Sequence, residues 1–153
     1  MADNLAAILA QTQRPEKSVD LCLRGDLFAQ RQRLLRDLPA SVDSLAGGDP
    51  DVQIQLDDIE TQMRDSTRTF TFRAVGRSEF RAMREEYKKK DKDAEASDEY
   101  LADLIAVSLV DPDLSREDVA ALLAALSDGQ ASVLEDAAWT VNQDTDLPFT
   151  LRG

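Results

Sequence analysis

Two short segments of this chain alternate apolar and polar side chains with a period of two. They are SVDLCL (18–23) and TRTFTFRAV (67–75). Their apolar faces consist of Val19, Leu21 and Leu23 in the first and of Phe70, Phe72 and Ala74 in the second. Such alternation is typical of β-strands that bury one face. Since most other segments are helical in pattern, the sequence predicts a mainly α fold with a small two-stranded antiparallel β element, an α+β class.

Apolar residues recur at helical spacing between the two strands and after the second one. The predicted helical stripes are Leu27, Phe28, Leu34, Leu35 and Leu38; Val52, Leu56, Ile59 and Met63; Phe80, Met83 and Tyr87; Tyr100, Leu101, Leu104, Ile105 and Leu109; Val119, Leu122, Leu123 and Leu126; and Val133, Leu134, Ala137 and Val141. Pro39 is predicted to end the first of these helices, because the residue before a proline disfavours helical dihedrals. The N-terminal part therefore reads as strand, helix, helix, strand, helix, and a helical lobe follows it.

The tripeptide Arg24-Gly25-Asp26 lies between the first strand and the first helix. In a secreted protein it would indicate an integrin ligand. Here a single cysteine rules out an internal disulfide framework, and the first residues lack the pattern of a signal peptide, so we expect a cytosolic protein. We therefore interpret the tripeptide as a structural corner. Gly25 is expected to take a φ near or above zero, and Asp26 to cap the helix.

The composition argues against catalysis. The chain contains no histidine and one cysteine, which removes the commonest general base and the usual zinc ligands. No phosphate-binding loop, dinucleotide fingerprint or nucleophile elbow occurs. The segment VDPDLSRED (110–118) faintly resembles a Ca²⁺ loop but lacks its glycine and distal glutamate, and a turn followed by a helix cap at Ser115 explains it better. We therefore expect no catalytic residue, no metal site and no cofactor.

The net charge of −12 is confined to one part of the chain. Residues 1–90 hold 15 Lys and Arg and 15 Asp and Glu, whereas residues 91–153 hold 3 and 15. Such a field repels nucleic acid and keeps the protein soluble. No stretch is apolar for the roughly 20 residues that span a bilayer. We therefore expect neither nucleic acid nor membrane as a partner.

The charge boundary also suggests a division of the chain. The predicted parts are a flexible N-terminal segment (1–17), an α+β part (18–88), a charged linker (89–97), an acidic helical lobe (98–142) and an extended tail (143–153). In the lobe, Ser97 is predicted to cap one helix, and Ser127 and Gln130 form the pattern of a capping box at the start of another.

Several blocks, in their order along the chain, resemble the tail assembly chaperones of long-tailed phages of actinobacteria, the short product of a frameshifted gene pair. The resemblance covers about residues 18–150. It is carried by Leu23–Leu27, Phe70–Phe72, the block that begins Val110-Asp111-Pro112, the block Ser127–Gln130, and the pair Ala138-Trp139 with Asn142.

The resemblance implies a function without catalysis. Proteins of this family bind the tape measure protein in the host cytoplasm, keep it soluble before the tail tube polymerises around it, and are absent from the mature virion. The longer frameshifted product is thought to recruit tail tube protein. By the same resemblance, we expect a homo-oligomer or several copies of this chain on each tape measure protein.

Three residues are candidates for binding the partner: Trp139, Leu147 and Phe149. Trp and Phe supply many of the anchors at protein interfaces, and the proline beside Leu147 keeps the tail extended. Trp139 also lies off its helical stripe, which fits either core packing or docking of a flanking segment. Alternative functions are a structural virion component such as a head–tail connector or tail completion protein, an acidic DNA mimic, and an enzyme without a recognisable motif.

Overall fold

The computed structural model describes residues 4–42, 50–90 and 97–143, with side chains described throughout these ranges except in 37–42. These ranges form seven helices and three strands. In chain order they are α1 (Leu5–Gln11), β1 (Glu16–Cys22), α2 (Asp26–Val42), α3 (Pro50–Asp65), β2 (Thr67–Arg73), α4 (Arg77–Lys90), α5 (Asp98–Ser108), β3 (Leu109–Asp111), α6 (Arg116–Ala125) and α7 (Asp128–Gln143).

The strands form one antiparallel sheet in the order β1-β2-β3. Val19 on β1 lies opposite Phe70 on β2, and Phe72 lies opposite Leu109 on β3, with an irregularity in register between Thr71 and Phe72. The two predicted strands are confirmed as antiparallel neighbours, but the prediction of a two-stranded element is wrong. The third strand has three residues and follows α5 directly, so it is too short to show an alternating pattern.

One core joins the sheet to the C-terminal helices. Its buried members include Leu21, Phe70 and Phe72 from the strands together with Tyr100 from α5 and Leu134 from α7. Helix α7 packs on both β1 and β2, and α5 packs on β2. The predicted α+β part (18–88) and the predicted acidic lobe (98–142) therefore share their core, and the change in charge at residue 90 does not mark a boundary within it.

Helices α2 and α3 pack against each other as a hairpin between β1 and β2. Leu27, Leu56 and Ile59 are buried in it, as the helical stripes predict. The Arg31 Nε and Glu60 Oε1 atoms are 3.2 Å apart across the pair. The prediction that Pro39 ends α2 is wrong, because the helix continues to Val42.

Within the predicted N-terminal segment (1–17), Leu5–Gln11 form a helix. Asn4 caps it, since its side-chain oxygen accepts a hydrogen bond from the backbone N–H of Ala7. None of the residues of α1 is buried. The predicted caps at Ser97 and Ser115 are confirmed, and Ser115 forms a full capping box with Asp118.

Candidate functional site

The corner between β1 and α2 is held by an internal ion pair. The Arg24 guanidinium donates to both carboxylate oxygens of Asp26, at 2.9 and 2.7 Å. This hydrogen bond is the main reason that the pKa of Asp26 lies below its ordinary value. Asp26 is itself the first residue of α2, so the predicted position of a cap just before the helix is corrected by one residue. Arg24 and Asp26 thus bind each other across Gly25.

Gln130 fastens this corner to the start of α7. Its Oε1 accepts the backbone N–H of Ser127 at 2.9 Å, while the Ser127 hydroxyl accepts the N–H of Gln130 at 3.1 Å, so the predicted capping box is confirmed. The Nε2 of the same side chain donates to the carbonyl oxygen of Cys22 at 3.1 Å. One amide therefore caps a helix and binds a strand that lies 108 residues earlier in the chain.

Gly25 is required for space and not for its dihedral angles. Its φ does not lie in the positive region, so the expected hinge conformation is wrong. A Cβ atom at this position would lie 3.1 Å from Nε2 and 3.3 Å from Cδ of Gln130. Both distances are tighter than ordinary van der Waals contact, and the Gln130 amide is already held by its hydrogen bonds at both ends.

We expect Gly25→Ala to lower the free energy of unfolding by about 1 kcal/mol, since the new methyl group displaces the Gln130 amide from its hydrogen bonds. The cost should largely vanish in a Gln130→Ala background, because residues in contact couple in a double-mutant cycle. Urea unfolding of the wild type, the two single variants and the double variant measures this coupling. Equal costs in both backgrounds would show that the constraint at Gly25 does not involve Gln130.

Trp139 is half-buried and packs against the core. Three residues further along the same helix, Asn142 connects α7 to α5 and to the segment that follows β2. Its Oδ1 accepts the backbone N–H of Val75 at 2.8 Å, and its Nδ2 donates to the Ser108 hydroxyl at 2.8 Å. Leu147 and Phe149, the other two candidate binding residues, lie outside the described residues.

The described residues contain no group of three or more His, Cys, Asp or Glu side chains arranged to hold a metal ion. In the same ranges, no helix combines the length and the apolar composition needed to cross a bilayer. Three surfaces of the described residues expose apolar side chains.

The most apolar of these surfaces is on α1. Leu5, Ile8 and Leu9 are spaced i, i+3 and i+4, share one face of the helix, and remain 69%, 53% and 61% exposed. We call these three side chains the N-terminal ridge. No binding residue was predicted in this segment, although the helical spacing of Leu5, Ile8 and Leu9 is present in the sequence.

A second apolar surface is a cleft of about 390 Å³ at the base of the α2–α3 hairpin. Cys22, Phe28 and Met63 line it, and the paired Arg31 and Glu60 side chains stand at its edge. Phe28 belongs to the predicted stripe of α2, yet 48% of it is exposed. The cleft therefore offers an aromatic side chain beside the corner that carries Gly25.

The third surface is a groove of about 280 Å³ between α5, α6 and α7. We call it the alanine groove. Its apolar lining consists of Ala102, Ala120, Leu123, Ala124 and Ala131, and its acidic lining consists of Asp98, Asp128 and Glu135. Burial, and then the charges of Asp98, Asp128 and Asp136, raise the pKa of Glu135. The groove therefore presents small apolar side chains beside a concentrated negative charge.

Comparisons of the chain with protein-family models, with curated proteins and with solved structures find no match. The function is therefore inferred from the residues of the chain and from the three surfaces above.

The raised pKa of Glu135 predicts a pH effect on stability. A carboxyl whose folded pKa exceeds its unfolded value destabilises the fold when ionised, and this cost is relieved as pH falls through the folded pKa. Glu135→Gln should therefore raise the melting temperature at pH 7 and change it little at about pH 4, below the unfolded value. Circular dichroism melts at both pH values measure this, and Asp113→Gln, an exposed acid outside the groove, is the control. An equal rise in melting temperature at both pH values would mean that the charge of Glu135 is not the cause of the stabilisation.

Proposed function

We propose that this chain is a phage tail assembly chaperone that binds the tape measure protein in the host cytoplasm and keeps it soluble before the tail tube polymerises. The observation that carries the proposal is the order of the five sequence blocks that resemble the short form of the frameshifted pair. In this proposal the longer frameshifted form recruits tail tube protein, and several copies of the chain act on one tape measure protein.

The structural roles of these blocks are consistent with the proposal. Leu23–Leu27 form the corner that Gln130 fastens, and Phe70–Phe72 lie on the central strand. The block beginning at Val110 contains the end of β3, and Asn142 closes the contact between α5, α7 and the segment after β2.

The N-terminal ridge supplies the kind of surface that the function requires. A long helical protein with apolar stripes aggregates when those stripes are exposed, and a chaperone must cover them with apolar side chains of its own. Leu5, Ile8 and Leu9 together form a short helical stripe that can lie against another helix. Because each copy contributes a small contact, strong binding would come from many copies on one partner.

Co-expression with the tape measure protein of the same phage tests the proposal. We expect the wild-type chain to keep that protein soluble and to co-purify with it in several copies. Replacing Leu5, Ile8 and Leu9 together by glutamine, a good helix former, should abolish solubilisation while the circular dichroism spectrum stays unchanged. The complex should survive about 0.5 M NaCl, where the Debye length is about 4 Å, because the contacts are apolar.

A matched control is available on other faces of the molecule. Ile54 and Val107 are exposed to a similar degree, so Ile54→Gln with Val107→Gln removes apolar surface without touching the ridge. A second variant, Leu147→Ala with Phe149→Ala, tests the tail. Trp139 is left unchanged, because its packing against the core would mix a loss of stability with a loss of binding.

Mass spectrometry of purified virions separates the proposal from the alternative of a head–tail connector or tail completion protein. A chaperone is expected to be missing from the mature particle. Should the chain be found there in stoichiometric amounts, and the tape measure protein aggregate equally with and without it, the chain is a structural component and the proposal is wrong.

A further inference from the structure

Three carboxylates line the alanine groove, those of Asp98, Asp128 and Glu135. Ion pairs among the described residues join Arg24 to Asp26, Arg31 to Glu60, Arg68 to Asp111, Arg73 to Glu16, Lys89 to Glu86 and Arg116 to Asp103. None of these ion pairs within the described ranges involves an acid of the groove. The lining between these acids is mostly alanine, which lets the backbone of another helix approach closely.

Helix α4 carries the opposite charge along one face. Arg77, Arg81, Arg84 and Lys88 are spaced by four, three and four residues, so they form one stripe along the helix. Arg81, Arg84 and Lys88 line a shallow surface depression in which Glu85 is the single acid. The face of α4 next to this stripe is anchored, since Phe80 is buried and Tyr87 packs on Tyr100 with ring centroids 5.4 Å apart. Arg84 lies at the border of the two faces, with its guanidinium carbon 5.7 Å from the centre of the Phe80 ring. The basic face is therefore presented on a helix whose orientation is fixed.

The two surfaces match in spacing as well as in charge. Asp128, Ala131 and Glu135 occupy positions i, i+3 and i+7 of α7, and Arg81, Arg84 and Lys88 occupy the same positions of α4. In both helices the outer charges are seven residues apart, which is about 10.5 Å along the axis. Two such helices can lie side by side with both outer charge pairs formed at once.

We propose that the alanine groove of one copy of this chain binds the basic face of α4 of a second copy. The charge complementarity and the shared spacing identify this occupant. Each copy carries one groove and one basic face, so the contact is heterologous and builds rings or open chains of copies. This contact does not depend on the tape measure protein, and it would place several copies of the chain next to one another before any partner is bound.

Sedimentation velocity of the isolated full chain, over a concentration series at 0.15 M NaCl, tests the proposal. We expect concentration-dependent association that weakens at least tenfold at about 1 M NaCl, where the Debye length is about 3 Å. Two charge-reversed variants are compared with the wild type. The first carries Arg81→Glu and Lys88→Glu, and the second carries Asp128→Lys and Glu135→Lys.

Each variant alone is expected to be monomeric, because like charges then face each other at the contact. An equimolar mixture of the two should associate again, since each then offers a surface complementary to the other. A chain that carries all four changes should also associate with itself. Arg33→Glu with Arg36→Glu on α2 makes the same change in net charge away from both surfaces and should leave association unchanged. Circular dichroism melts establish that all variants are folded.

Restored association in the mixture is the result that only this contact predicts. A wild-type chain that stays monomeric up to several hundred micromolar would overturn the proposal. So would association that both variants retain, or a mixture that stays monomeric although both variants are folded. These outcomes leave the proposed chaperone function standing, because its test measures solubility of the tape measure protein in about 0.5 M NaCl. If the tape measure protein aggregated although the chain still self-associated as described, the chaperone function would be wrong and the contact between copies would stand.

Discussion

The Phe72→Ala variant is expected to lose about 3–5 kcal/mol of unfolding free energy, which is the usual cost of removing a fully buried phenylalanine ring. Phe72 is 0% exposed and lies on β2, the central strand of the sheet. Its neighbours in the core come from both sides of the charge boundary at residue 90. The loss should therefore be felt by the whole described fold and not by its N-terminal part alone.

Urea unfolding followed by two probes measures this. Far-ultraviolet circular dichroism reports on all helices, whereas the fluorescence of Trp139, the single tryptophan of the chain, reports on α7. Both midpoints should shift down together in Phe72→Ala. Ile54→Ala, at an exposed position, should change the stability by less than about 0.5 kcal/mol. If the tryptophan midpoint stayed in place while part of the circular dichroism signal was lost, the acidic lobe would fold by itself, as the charge pattern first suggested.

The second large effect is expected at Asn142. Asn142→Ala removes three hydrogen bonds and leaves the partly buried N–H of Val75 without its acceptor. With a net contribution of about 1 kcal/mol for each bond and an added penalty for the unsatisfied, partly buried donor, we expect a loss of about 2–4 kcal/mol.

Ser108→Ala isolates one of these bonds, because the Ser108 hydroxyl accepts from Nδ2 of Asn142. In the Asn142→Ala background, Ser108→Ala should lower the free energy of unfolding almost no further, because the two side chains belong to one hydrogen-bond network. Ser132→Ala, an exposed position on the same helix, controls for changes in helix propensity. A cost at Asn142 within 0.5 kcal/mol of that control would show that α7 is held by its apolar face alone.

Periodicity was enough to predict much of the fold. Phe70, Phe72 and Ala74 are buried as the alternation indicates, and Leu56 and Ile59 are buried as the helical spacing indicates. The prediction fails where a pattern is too short or where other contacts outweigh a local preference. Strand β3 has only three residues, and α2 passes through Pro39, where the local rule predicts an end.

The hydrogen bonds that connect distant elements were predicted only in part from the sequence. The capping box at Ser127 and Gln130 follows from local spacing, but the bond from Gln130 to Cys22 depends on how α7 packs against β1. The same holds for Asn142, whose partners Val75 and Ser108 are distant in the chain. Local periodicity contains no information about such contacts. The N-terminal ridge differs, because the helical spacing of Leu5, Ile8 and Leu9 is present in the sequence, and only a binding role for these residues was not predicted.

The position of α7 in the chain has a consequence for synthesis. Strands β1 and β2 are translated before α7, which is the last of the described elements, and Gln130 can bind Cys22 only after α7 has been made. The 69 residues from Phe72 to Val141 take roughly 3 to 14 s to make at about 5–20 residues per second. During that interval the apolar side chains of β1 and β2 lack the cover that α7 later gives them. A fragment released before α7 is finished would thus expose apolar surface and be prone to aggregate.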